Sequence, residues 1–212
     1  MAESNIARIR ITYSKTGMLR FIGHLDMQQL WERALRRAEL PVRYSQGFNP
    51  KIRLNLASAL PLGYISRCEV LDFWLEQNMV CEIIQAKLNK TLPEDLKVID
   101  TTRVANNLPS LQSLLSASEY QVRSSEFLEF DQLQRQVKRL LSQTTIQRTR
   151  RGKTYNLRDY MENLSVIDIN NTSGLQMRLS SRPGATGRPD EVIESLGYDP
   201  YACIIERTKL IF

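Results

Sequence analysis

The stretch Ile6-Ala7-Arg8-Ile9-Arg10-Ile11-Thr12, followed by Asp26-Met27-Gln28-Gln29-Leu30-Trp31-Glu32-Arg33-Ala34-Leu35-Arg36-Arg37-Ala38, decides the fold. The first segment alternates with a period of two. Ile9 and Ile11 point one way and Arg8, Arg10 and Thr12 the other, as in a half-buried strand. The second repeats Leu30, Trp31, Ala34, Leu35 and Ala38 at helical spacing, with Asp26 as the expected N-cap and Gln29 completing a capping-box pattern. Pro41 ends that helix by disfavouring helical geometry in the residue before it. Working outward, Val42–Tyr44 reads as extended and Ser45–Pro50 as a turn-rich loop. Ile52, Leu54 and Leu56 alternate with Arg53 and Asn55 as a strand, and Leu60-Pro61-Leu62-Gly63 breaks the chain. Glu69–Leu75 reads as a strand, Val80–Leu92 as a helix and Leu96–Val104 as a strand, giving the order β-α-β-β-α-β.

Residues 105–118, rich in Asn, Ser, Pro and Leu, read as a connection. A second series follows: a strand at Tyr120–Ser124, then a helix capped by Asp131 with Leu133, Val137, Leu140 and Leu141 inward. Thr145–Arg150 and Thr154–Leu157 form a hairpin around Arg151-Gly152-Lys153. A helical turn is expected over Arg158–Leu164, and a second hairpin pairs Val166–Ile169 with Leu175–Leu179. Pro189 opens a helix over Asp190–Leu196, and Ala202–Leu210 closes as a strand. The pattern predicts an α+β protein of two ferredoxin-like β-α-β-β-α-β units packed together, with mostly antiparallel sheets. The expected boundaries are 1–104 for the N-terminal unit, 105–118 for the connection and 119–212 for the C-terminal unit.

A chain of 212 residues with 42% hydrophobic and 25% charged residues is ordinary for a globular protein. Its net charge of +6 is unevenly spread. Residues 1–53 and 132–160 are strongly basic, while 54–131 and 161–212 are net acidic. Basic segments that meet in a fold form the footprint of a polyanion binder; left apart, they are solvated surface charge. Cys68, Cys81 and Cys203 are scattered and distant in sequence from His24, the only histidine. That spacing opposes a zinc site and an iron–sulfur cluster, and the cysteines read as small core residues. No cofactor and no metal is expected. No apolar run approaches the roughly 18–20 residues of a membrane span, and the polar start Met1–Asn5 does not resemble a signal peptide. The expectation is a cytoplasmic protein with no membrane partner. The sequence has no GxSxG, HExxH or GxGxxG, and a single histidine excludes a two-histidine ribonuclease mechanism within one chain.

Four groups of residues are candidates for nucleic-acid contact. Lys15, Arg20, His24, Arg33, Arg36 and Arg37 surround the first helix, whose start attracts anions, and they follow two strand arginines. His24 is the candidate general base if any catalytic residue exists; otherwise it bonds its local turn. Arg43, Tyr44, Phe48 and Lys51 join aromatic faces to positive neighbours, a combination suited to unstacked bases, unless Phe48 plugs into the core. Arg150, Arg151, Lys153 and Arg158 form a basic hairpin able to lie along a phosphate backbone. Arg182 and Arg188 flank a glycine-containing loop that leads into a helix, without the Gly-Lys-Ser/Thr ending of a P-loop.

Several of these residues together resemble a known family. Lys15-Thr16-Gly17, Phe21-Ile22-Gly23-His24-Leu25-Asp26, Glu32–Ala38, Leu40-Pro41-Val42, Tyr44–Pro50 and Leu60-Pro61-Leu62-Gly63 are similar to the radical SAM-linked proteins of unknown function. The likeness is strong over residues 6–75 and looser through Tyr155–Arg158 and Arg188–Glu191. Gly23 stands where many members have serine, which removes a possible hydroxyl contact. The family occurs as stand-alone proteins and as a C-terminal domain fused to radical-SAM enzymes, often encoded near ribonuclease E/G and ribosomal proteins. With no CxxxCxxC in this chain, radical chemistry would belong to a partner or to a region outside this sequence. Together the two basic segments and the resemblance lead to the expectation of a non-catalytic RNA-binding accessory module that presents rRNA or tRNA to a radical-SAM partner enzyme, in cis or in trans. Two alternatives stand beside it. One is a docking domain for a radical-SAM protein, using the Phe48 loop and Phe73-Trp74. The other is a metal-free endoribonuclease with His24 as base and Tyr13 or Lys15 stabilising charge, analogous in fold alone to the ferredoxin-like endonucleases of CRISPR systems.

Overall fold

A computed structural model of the chain describes residues 6–212, so the reading of Met1–Asn5 lies outside the described residues. The protein is α+β, with mostly antiparallel sheets. It divides into two compact units, one ending at Leu114 and the other running from Leu115 to Phe212.

The first unit contains β1 (Ala7–Lys15), a 3-10 turn (Gly17–Phe21), α1 (His24–Arg37), β2 (Leu54–Leu56), β3 (Ile65–Leu75), α2 (Cys81–Thr91), β4 (Leu96–Val104) and the short α3 (Leu111–Leu114). β1 pairs antiparallel with both β3 and β4, and β2 pairs antiparallel with β3. The resulting order, β4-β1-β3-β2, is the ferredoxin-like one, with each helix crossing back over the sheet. Alternation along the strands sets the core. Ile9, Ile11 and Tyr13 of β1 and Leu71, Phe73 and Leu75 of β3 pack with Met27, Trp31, Ala34 and Leu35 of α1 and with Ile84 and Leu88 of α2. Trp31 is fully buried and meets Tyr13 edge to face at 4.8 Å. Each such large apolar side chain contributes roughly 1.5–3 kcal/mol by leaving water.

The opposite parity of β1 carries Arg8 and Arg10, read from sequence as support for a phosphate-facing surface. The fold uses them differently. Asp72 of β3, completely buried, accepts from Arg8 Nε at 2.9 Å and Nη2 at 2.5 Å, and from Arg10 Nε at 2.8 Å and Nη2 at 2.9 Å. Arg8 also donates to the carbonyls of Leu108 and Pro109, so the segment after β4 is tied to the sheet. A buried carboxylate without partners is very costly, and these four hydrogen bonds satisfy it.

Helix starts differ from the sequence reading. Gly23, not Asp26, caps α1: its carbonyl accepts from Met27 N at 2.9 Å, and Asp26 sits in the first turn, where its charge complements the helix dipole. Likewise Glu129 precedes α4 (Phe130–Leu141), with Asp131 inside its first turn.

The second unit contains β5 (Ala117–Arg123), α4, the hairpin β6 (Gln147–Arg150) and β7 (Lys153–Asn156), a 3-10 turn (Leu157–Tyr160), β8 (Met161–Ile169), β9 (Thr172–Arg182), β10 (Ala185–Thr186), α5 (Pro189–Ser195), a 3-10 turn (Pro200–Ala202) and β11 (Ile204–Ile211). β9 lies between β8 and β5, and β5 pairs with β11, all antiparallel. With the β6–β7 hairpin and β10 set aside, this is again β-α-β-β-α-β with the same strand arrangement. β8 begins at Met161, so the helical turn expected through Leu164 stops at Tyr160. The β8–β9 loop shrinks to Asn170-Asn171, both at positive φ (54° and 63°), because asparagine tolerates the left-handed region that a two-residue hairpin requires. All three cysteines are half-buried free thiols rather than core residues. Among the described residues no helix is long and apolar enough to cross a membrane, and no group of three or more His, Cys, Asp or Glu could hold a metal ion.

Candidate functional site

At one end of the first sheet the apolar rows stop being apolar. On β1 the core-facing row Ile9, Ile11, Tyr13 is followed by Lys15, and on β3 the row Leu75, Phe73, Leu71 continues into Glu69. Tyr13 and Glu69 are direct cross-strand partners, and a register shift between Tyr13 and Lys15 re-aims the end of β1. Lys15 and Glu69 are each only 3% exposed. Lys15 Nζ donates to the Ile22 carbonyl at 3.0 Å, which fastens the strand end to the turn before α1. Tyr13, Lys15, Gly23, His24, Met27, Leu56, Ser58, Leu60 and Glu69 line a small polar pocket here, with room for about one water molecule (about 10 Å³).

The walls are set by backbone bonds. Asp95 holds the turn after β1: its carbonyl accepts from Thr16 N at 2.9 Å, and its carboxylate accepts from Met18 N at 2.9 Å. Gly17 sits at φ +49°, where a Cβ would lie 2.0 Å from the Asp95 carboxylate. Gly63 N donates to the Arg20 carbonyl at 2.8 Å and brings the Leu60–Gly63 loop against the 3-10 turn. Met18 and Phe21, three residues apart on a 3-10 turn, share one side of it. Met18 (71% exposed), Phe21 (54%), Leu25 (72%) and Leu62 (63%) leave apolar surface beside the pocket, and the Arg20 guanidinium stands 4.7 Å from the Phe21 ring. The neighbouring segments Lys15–Gly17 and Phe21–Asp26 therefore meet Leu60–Gly63, from much further along the chain, at one place.

The other expected residues fall into distinct settings. Arg33, Arg36 and Arg37 are exposed on the side of α1 away from Met27, Trp31, Ala34 and Leu35. Lys15 is buried and so is not part of that outer basic surface, a correction that follows from its strand parity. Phe48 is not plugged into the core: its relative exposure is 106%, with Tyr44 and Lys51 also exposed and Arg43 half-buried, 3.9 Å from Glu76. Phe73 and Trp74, expected in an apolar docking patch, are buried, with the guanidinium groups of Arg8 and Arg53 lying 5.1 and 4.1 Å from the centre of the Trp74 ring.

In the second unit, Arg150 is a strut. It donates to Glu191 Oε1 from Nε at 3.0 Å and Nη2 at 2.6 Å, and to the Thr186 carbonyl at 3.1 Å. Arg148 donates to Ser195 Oγ at 2.6 Å and to the Glu191 carbonyl at 3.1 Å. The Tyr155 hydroxyl donates to the same Glu191 oxygen, and its ring stacks on Tyr160 at 5.4 Å. Burial, then the hydrogen bond and charge of Glu191, push the Tyr155 hydroxyl up to about 12. Burial, the largest single influence, would lower Arg150, but the hydrogen bond and the charge of Glu191, with Tyr155 and Asp190, together outweigh it and hold Arg150 above its ordinary value. These ties lock the β6–β7 hairpin to α5 and to the end of β10, next to the β9–β10 turn. Arg151 and Lys153 stay exposed at the hairpin tip, and Arg182 stays exposed at that adjoining turn. Arg158 is half-buried and donates to the Met161 carbonyl, and Arg188 is the half-buried residue before α5. Sequence reasoning missed Glu69 and Ser58. Glu69 carried a usable signal, since it shares the parity of Leu71, Phe73 and Leu75.

Two α+β units of ferredoxin-like order, one with a polar pocket at the head of its first helix and one with a strapped basic hairpin, define the class of this protein. The chain belongs to the family described as an uncharacterized protein conserved in bacteria (DUF2344), whose profile matches residues 8–189. No curated protein sequence matches it. Among solved structures it is similar to one described as "Crystal Structure of a Cbf5-Nop10-Gar1 Complex", at 10% identity and a TM-score of 0.48. That alignment covers 95% of this chain and 48% of the other, so the chain spans about half the length of that neighbour.

Proposed function

We infer that this chain is a non-catalytic RNA-binding accessory module that presents RNA to a radical-SAM partner enzyme. The observation that carries the RNA half of the reading is Phe48. A phenylalanine left wholly in water forgoes the free energy of burial, and Tyr44, Arg43 and Lys51 stand close to it in sequence with exposed or half-exposed side chains. An aromatic face with cations nearby is what a single-stranded nucleic acid needs from its binding surface. Arg33, Arg36 and Arg37 in one unit, and Arg151, Lys153 and Arg182 in the other, supply further exposed positive charge. The partner half of the reading rests on the resemblance to the radical SAM-linked proteins.

Filter binding of single-stranded RNA over a salt series tests the first half. Roughly six neutralised phosphates give a slope of log affinity against log salt near −4, and no measurable binding at about 50 mM salt would remove the reading. Affinity capture of the whole chain after nuclease treatment tests the second half. A radical-SAM protein that stays bound supports it, and its absence in both nuclease-treated and untreated captures counts against it. The endoribonuclease alternative keeps one favourable observation, since Tyr13, Lys15 and His24 line the same pocket. Incubation of pure protein with labelled RNA decides it: cleavage lost in His24→Ala supports that alternative, and intact RNA rejects it.

A further inference from the structure

We propose that the pocket at the head of α1 receives the 2′-hydroxyl of one unstacked ribonucleotide whose base lies on Phe21, which makes RNA rather than DNA the preferred ligand. This rests on the RNA-binding reading above and adds to it the site that tells the two nucleic acids apart.

Size comes first. A hollow of about 10 Å³ admits a single water-sized group, so neither a base nor a phosphate enters it, whereas a hydroxyl replaces a water directly. Chemistry comes second. The lining carries donors and acceptors together: an ammonium on Lys15, a carboxyl group on Glu69, a phenol on Tyr13, and the Ser58 hydroxyl, which gives its proton to the Ala59 carbonyl and so is left as an acceptor. A ribose 2′-hydroxyl, which also donates and accepts, is the substituent of a nucleic acid that matches such a lining. Cost comes third. Lys15 and Glu69 occupy core-parity positions at 3% exposure, where leucine or isoleucine would continue the apolar rows, and buried charged groups kept at a cleft point to a function there.

The neighbouring surface completes the fit. Phe21 lies three residues before His24, is 54% exposed, and has Arg20 over its ring at 4.7 Å. A base laid on the exposed part of that ring extends the guanidinium–aromatic stack, with Leu25 as apolar flank. His24, exposed at the pocket mouth, is placed to meet the sugar–phosphate backbone.

Fluorescence anisotropy of the full chain with a labelled uridine dodecamer, its deoxyuridine counterpart and its 2′-O-methyl counterpart tests the proposal, because the three differ only at the 2′ position. The uridine oligomer should bind about tenfold more tightly than either of the others, as expected for one well-made hydrogen-bonded group in a site too small for a methyl. Ser58→Ala should reduce that ratio while leaving deoxyuridine binding unchanged, and Phe21→Ala should weaken all three alike. His24 is exposed, so His24→Ala retains the fold and serves as a second variant; it should weaken the uridine oligomer. Equal affinity for the three oligomers overturns the pocket assignment and leaves single-strand binding intact, as does a ratio that Ser58→Ala leaves untouched or a uridine affinity that His24→Ala leaves unchanged. Failure of every oligomer to bind removes both the assignment and the RNA reading on which it rests.

Discussion

Asp72 pairs with Arg8 and Arg10 at once, at zero exposure, and that single side chain fixes what one face of the first sheet can do. Asp72→Ala would leave the guanidinium of Arg8, 2% exposed, without its carboxylate. The expected loss is about 3–5 kcal/mol, read as a lower urea midpoint with unchanged slope. The double variant Asp72→Leu with Arg8→Met should recover part of that loss, because an apolar pair of similar volume removes the stranded charge of Arg8, while Arg10, whose side chain is 21% exposed, keeps access to water. If Asp72→Ala unfolds at the wild-type midpoint, the pair is not structural. Gly17→Ala tests a second residue. Its φ of +49° costs an alanine roughly 1–2 kcal/mol, and its Cβ would displace the Asp95 carboxylate that holds Met18 N, so the melting temperature should fall. Asp95→Ala in the same background removes the clash but keeps the backbone penalty, so it should not restore the wild-type value. None of this was legible locally. Arg8 and Asp72 are 64 positions apart, and only strand pairing reveals that the arginines face a carboxylate. Parity alone, however, marks Lys15 and Glu69 as inward-facing, because each extends an alternating row whose other members are apolar.

At the scale of elements, the β6–β7 hairpin is the informative one. It stands outside the β-α-β-β-α-β core, and a two-stranded hairpin alone is marginal in water, so its position depends on the ties to α5. Tyr155 makes one of them with a hydroxyl held at about 12, against an ordinary value of 10.0. A group whose pKa is higher in the folded state gives stability that is complete below the unfolded value and is lost as pH rises through the folded one. The Tyr155 contribution should therefore be intact below about pH 10 and fade between about 10 and 12. Thermal unfolding at stepped alkaline pH should show this decline in the wild type and a shallower one in Tyr155→Phe, and identical profiles would mean that the tie adds nothing. The strands and helices themselves were readable from periodicity, since Leu30, Trp31, Ala34 and Leu35 leave no alternative to a helix. Their ends were not. Asp26 and Asp131 look like caps because their side chains suit the role, yet Gly23 and Glu129 take it, and each aspartate serves one turn later through its charge.

Over the whole chain, the salt dependence of binding counts cations and leaves stacking aside, and that difference separates the cationic residues from the aromatic one in the proposed binding. The exposed positive residues were partly legible from sequence as basic segments. What could not be read was which members were already engaged: Arg150 and Arg148 brace the hairpin, Lys15 is internal, and Arg151, Lys153 and Arg182 remain exposed. Counterion release gives a slope of about −0.7 for each phosphate neutralised on a single strand. Arg151→Ala with Lys153→Ala should therefore flatten the slope by about 1.4, with affinity at high salt changing little. Arg150→Ala should act differently, since it loosens the hairpin and removes a strut rather than a free cation, so the melting temperature falls along with affinity. Phe48→Ala should lower affinity at every salt concentration, by about 1–3 kcal/mol if a base stacks there, while the slope stays that of the wild type. A Phe48→Ala slope that flattens, or a double tip variant whose slope does not, would show that charge and stacking have been assigned to the wrong residues, because no fully exposed phenyl ring releases a counterion and no exposed lysine stacks a base.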